Sequence, residues 1–81
     1  MNVEHEISLL KTEILRLGKP NADGKVSVKF GTLFNDPRSQ NLFEALVGTL
    51  RAAKRKKIIT YQSEMLLQGR NDEEEIVLLQ E

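Results

Sequence analysis

The sequence predicts an α+β fold, a small winged helix-turn-helix-like domain ordered helix, strand, short helix, long helix and β-hairpin wing. Two observations carry this reading. The apolar period is three to four residues through Leu17, changes to two near Lys25, returns to helical spacing in the middle, and ends in β-prone runs. Two central helices are joined through a Pro-containing turn, and all connections are short, with no repeat or low-complexity stretch. A four-helix bundle is the weaker alternative, because alternation at Val26 to Phe30 and a β-branched carboxyl end contradict it.

Val3, Ile7, Leu10, Ile14 and Leu17 fall on one helical stripe. Asn2 can cap that helix, Glu4 and Glu6 suit its positive end, and Gly18 with Pro20 supplies the stop. Lys19 to Gly24 reads as a turn. Val26, Val28 and Phe30 then alternate with Lys25, Ser27 and Lys29, as in a strand with one buried face. Phe30, Leu33 and Phe34 predict a short helix that must end before Pro37. Asp36 as cap and Pro37 at the first helical position open the long helix, with Ser39 as an alternative cap. Leu42, Phe43, Leu46, Val47, Leu50 and Ala53 line its core face, and Arg51, Lys54, Arg55, Lys56 and Lys57 load its negative end. After the extended stretch from Ile58 to Tyr61, the runs Glu64 to Gln68 and Glu75 to Leu79 flank a polar tip and predict the hairpin. Both runs are apolar on two faces; the second face is expected to be covered by the Ile58 to Tyr61 segment, the alternative being an exposed docking patch.

The chain has 81 residues, 12 Lys+Arg against 12 Asp+Glu, no Cys and 40% hydrophobic residues. This describes a single domain over residues 1–81, built on one core that leaves few apolar residues for a substrate cavity. Without Cys there is neither a disulfide framework nor a thiolate metal site, so the cytoplasm is the expected compartment. The start is acidic and lacks an export signal, no apolar run approaches membrane-spanning length, and no lipid anchor motif appears. No membrane association is expected.

Catalytic and cofactor motifs are missing. His5 lies two residues from Val3, about 200° around the helix, so it should face solvent, and no second His or Cys can join it. The glycines form no phosphate-binding loop. Asn21-Ala22-Asp23-Gly24 lacks the later oxygen ligands of a calcium loop and reads as a tight turn. The cluster Asp72-Glu73-Glu74-Glu75 reads as a charged hairpin tip rather than a cation site. No enzymatic activity, cofactor or metal is expected.

The strongest local signal is Lys54-Arg55-Lys56-Lys57 with Arg51 one turn earlier and Tyr61 just beyond. It fits a favourable helix end, a docking site for an acidic partner protein, or a nucleic-acid contact. Sequence-specific DNA binding is the weakest of these. The exposed face of the recognition helix would offer Glu44 to phosphates, and the wing would carry Asp72, Glu73 and Glu74. Overall neutrality is a cancellation of separated patches, suited to oriented docking.

The segments Asn21 to Lys25, Val28 to Gly31, Asn41 to Ile58 and Leu66 to Gly69, with the Met-Asn-Val start, resemble the costars family over the whole chain. Ser39 stands where that pattern often has Cys, Gln62-Ser63 replaces a tighter Gly-containing turn, and the wing tip is more acidic. Costars proteins are small stand-alone relatives of the carboxy-terminal actin-binding domain of the striated muscle activator of Rho signalling. The resemblance implies a cytoplasmic, cytoskeleton-associated and non-enzymatic modulator of actin dynamics and cell motility. Its partners would be actin filaments or an actin-regulatory protein. Together with the basic patch, it implies that Arg51, Lys54, Arg55, Lys56, Lys57 and Tyr61 meet an acidic surface. A monomer is expected, and a winged-helix nucleic-acid-binding protein is the alternative.

Overall fold

A computed structural model describes residues 2–80. Helix α1 spans Val3–Leu17, and the Asn2 side chain caps it by accepting the His5 N–H at 3.1 Å. The apolar stripe works as the period predicts: Ile7, Leu10 and Ile14 are buried, with Val3 and Leu17 packed against the same core. The helix ends at Gly18, whose N–H reaches the Ile14 carbonyl at 2.7 Å. The expected turn then begins later than the sequence suggests. Lys19–Pro20 forms a short strand β1 paired with β2 (Val26–Lys29), and only 21–24 turns. A proline without an N–H is tolerated there because β1 is an edge.

Among the described residues, the remaining elements are α2 (Phe30–Asn35), α3 (Pro37–Leu42), α4 (Leu46–Arg55), β3 (Ile59–Thr60) and β4 (Glu75–Leu78). The antiparallel sheet has the order β1-β2-β4-β3. Its inner face, led by Val28, Ile59, Ile76 and Leu78, closes over Phe30, Leu33, Leu50 and the α1 stripe. Phe30 therefore opens α2 rather than continuing the strand.

The predicted long helix is two helices. Asp36 caps α3 as expected, its carboxylate accepting the Ser39 N–H at 3.0 Å with Pro37 in the first turn. The chain leaves helical geometry at Phe43, whose ring is buried, and re-enters it after Ala45. A carboxylate from α1 explains the break. Glu6, itself buried, accepts the Glu44 N–H at 3.1 Å and the Thr49 hydroxyl at 2.9 Å, while Ala45 offers no side-chain cap. A remote acid thus satisfies donors at the start of α4.

The predicted wing also needs correction. Glu64 to Gln68 is not a strand, because both edges of β4 are already taken, one by β2 and the other by β3. The segment joins a long loop, residues 61–74, with Leu66 buried while Met65 and Leu67 are 63% and 41% exposed. The Ile58 to Tyr61 stretch lies beside β4 in the sheet rather than covering its face, through the pairs Ile59↔Leu78 and Thr60↔Val77.

Candidate protein-docking surface

The basic end of α4 is shaped by how the helix stops. Lys57 adopts a left-handed conformation at φ 60°, its N–H reaches the Lys54 carbonyl at 3.0 Å, and the Ile58 N–H reaches the Ala53 carbonyl at 3.0 Å. These are the paired bonds of a Schellman stop, where glycine is the usual residue. The stop turns the chain into β3 and leaves Lys54 and Arg55 in the last turn, against the negative end of the helix.

Arg51, Lys54 and Arg55 line a shallow depression with Tyr61 and Glu64. The Lys54 ammonium lies 4.2 Å from the Tyr61 ring centroid and donates to the Ser63 carbonyl at 3.5 Å, so it is held on an aromatic face. Burial pushes the Tyr61 phenol pKa up, against the opposing pull of Arg51 and Arg55. Tyr61 is buried, which makes it the floor of this surface rather than a projecting anchor. Arg51 and Arg55 are exposed, and neither makes an ion pair or hydrogen bond among the described residues.

The other two cations stand apart. Lys56 lies 3.9 Å from Glu4 and borders a different depression between α1 and α4, with Ile7, Ser8, Lys11 and Ile58. Lys57 is exposed beyond the stop, its carbonyl accepting the Gln80 side-chain amide at 3.0 Å. The basic run of the sequence is thus split: Arg51, Lys54, Arg55 and Tyr61 come together, while Lys56 and Lys57 do not join them.

The acidic tip is not a free charged tip. Glu74 accepts the Gln62 N–H at 2.8 Å and the Ser63 hydroxyl at 2.6 Å, and these bonds hold its carboxyl below the usual range, the hydroxyl most. Asp72 accepts the Gly69 N–H at 2.8 Å, Glu73 pairs with Lys29 at 2.7 Å, and Glu75 accepts the Ser27 hydroxyl at 3.0 Å. Asn71 accepts the Leu67 N–H at 2.9 Å. The loop is clamped to the body where the Gly31 N–H reaches the Asp72 carbonyl at 2.9 Å; a Cβ on Gly31 would lie 2.7 Å from the Asp72 Cβ. The role of Glu74 had no signal in the sequence, where it stands among like neighbours.

His5 is exposed, as expected. Among the described residues no group of three or more His, Cys, Asp or Glu is disposed to hold a metal ion, and no helix is long and apolar enough to cross a membrane.

The costars family model matches residues 2–79. This chain belongs to the costars family. The costars chain is 72% identical over 81 residues to Costars family protein ABRACL of Coturnix coturnix, and 65% identical to the ABRACL of Homo sapiens. In both cases 100% of each chain is covered. The solution structure of human HSPC280 protein is similar at a TM-score of 0.91 and 67% identity, covering 100% of this chain and 95% of that one.

Proposed function

We propose that this costars protein is a non-enzymatic docking protein of the actin cytoskeleton, acting in the cytoplasm on filament organisation and cell motility. It would bind actin or an actin-regulatory protein, as a monomer. Family membership supports the actin connection, through the relation to an actin-binding domain that the costars resemblance implies. The observation that carries the docking mode is the cationic depression of Arg51, Lys54 and Arg55 over Tyr61, whose arginines make no ion pair or hydrogen bond among the described residues. The underlying fold reading is a winged helix in which β3, the 61–74 loop and β4 make the wing. The helix and strand order, with β4 central, supports it.

The same surface argues against the nucleic-acid alternative. Glu64 borders the depression, and Glu73, Glu74 and Glu75 line the neighbouring one beside Tyr61. A phosphate backbone would meet these carboxylates. The test is co-sedimentation with filamentous actin and capture of actin-regulatory proteins from cytosol. Both should weaken when Arg51, Lys54 and Arg55 are reversed to Glu. Undiminished binding by that variant, shown to be folded by its circular dichroism, would remove the depression from the account.

A further inference from the structure

We propose that the Arg51 and Arg55 pair, with the exposed Met65 that follows Glu64 at its border, is a docking site for a short acidic segment of a partner protein that carries spaced carboxylates and an apolar side chain. The inference rests on the docking reading above and names the chemistry of what docks.

Arg51 and Arg55 stand one turn apart on α4, so their guanidinium groups share a face. Like charges at this spacing disfavour the helix slightly, and among the described residues neither arginine makes an ion pair that would offset that cost. Of the nearby carboxylates, Glu64 borders the depression but forms no ion pair with either arginine among the described residues, and Glu74, in the neighbouring depression, is occupied by the Gln62 N–H and the Ser63 hydroxyl. Lys54, between them in sequence, is held on the Tyr61 ring and the Ser63 carbonyl. Two planar guanidinium forks are therefore presented on a fixed floor, the geometry that binds carboxylates in bidentate fashion.

What the site excludes identifies the occupant. Glu64 borders the depression and would repel a continuous polyanion more strongly than carboxylates separated along a peptide. Met65 follows directly, 63% exposed on a loop pinned by Asn71, Asp72 and Glu74. An exposed flexible thioether on a fixed loop is a contact for an apolar side chain. Cations beside an apolar residue match an acidic, partly apolar protein segment.

The test titrates the full chain into a short fluorescein-labelled peptide carrying two glutamates one helical turn apart and a leucine, read by anisotropy and by amide chemical-shift changes. Saturable binding is expected, with shifts at Arg51, Arg55 and Met65. Affinity should fall about tenfold for Arg51→Glu with Arg55→Glu, and also for the peptide with Gln in place of Glu. Met65→Ser should weaken binding without changing its salt dependence, and Lys56→Glu with Lys57→Glu should leave it unchanged. An equal loss in the Lys56 and Lys57 variant, no saturable shift, or binding only to duplex DNA or phosphatidylserine vesicles would overturn the proposal. Peptide binding by a chain that captures no actin machinery would remove the actin reading and keep this site. Capture without peptide binding would do the reverse.

Discussion

The carboxyl end of α4 and the 61–74 loop are both dense in charge, but their charges face different things. In the loop and the segment that follows it, Asp72, Glu73, Glu74 and Glu75 are engaged by a backbone N–H, an ammonium or a hydroxyl of the same chain. On α4, Arg51 and Arg55 make no ion pair or hydrogen bond among the described residues, and Lys54 is held by a ring and a carbonyl. The difference follows from what a chain can offer each sign. Backbone donors exposed at turns and helix starts attract carboxylates, so acids are absorbed into the structure. Helix carbonyls at a carboxyl end are closed by the Schellman bonds, so they offer the arginines no acceptor, and Arg51 and Arg55 are left to solvent or to a partner.

Glu6 gives the sharpest test of the idea that acids are structural here. It is buried and holds the start of α4 through Glu44 and Thr49. Glu6→Ala should cost about 2–3 kcal/mol in denaturant unfolding, because the part-buried Glu44 N–H loses its acceptor and the buried Thr49 hydroxyl keeps only the Ala45 carbonyl, 3.1 Å away. An unchanged midpoint would break the comparison at its strongest point.

Glu74→Ala should cost less, about 1–2 kcal/mol, since solvent reaches this carboxylate and replaces part of what is lost. The pH dependence follows from the lowered pKa. A carboxyl that titrates lower in the folded chain than in the unfolded one stabilises the fold above its unfolded pKa, and the contribution disappears as pH falls through the folded value. Stability should therefore drop on acidification below about pH 4.5, and less steeply in Glu74→Gln. Asp36, held low mainly by the Ser39 N–H, adds a slope of the same sign that remains in that variant.

Lys57 lies on the boundary between the two behaviours. Its left-handed φ of 60° is one that glycine adopts without cost, so Lys57→Gly should raise stability by up to about 1 kcal/mol. A loss of stability would mean that the lysine side chain makes a contribution its exposed position does not reveal.

How much of this was legible in the sequence divides along the same line. Elements fixed by neighbours were readable: the stripe and Asn2 cap of α1, the alternation of β2, and the Asp36-Pro37 entry of α3. The break at Phe43 to Ala45 was not, because its cause is Glu6, far away along the chain. Nor was the loss of the second wing strand. Met65, Leu66 and Leu67 have strand character, but β4 has no free edge for them once β2 and β3 are paired. For the candidate site, the basic run marked the right helix end. Its division into two surfaces depends on the Lys57 stop and on where β3 and α1 lie, which spacing along one helix does not encode.

The smallest stability effect should come from the residues with the largest expected effect on binding. Arg51→Gln with Arg55→Gln removes two exposed side chains that make no ion pair or hydrogen bond within the described chain. It also relieves a like-charge pair at one-turn spacing, so thermal unfolding should change by no more than about 0.5 kcal/mol, with a slight gain favoured. A large loss would show that the arginines support the fold and would return them to the same class as Glu74. A neutral result alongside weakened capture of partners would separate the two regions by experiment as the geometry separates them: acids that hold the chain together, and arginines left for something outside it.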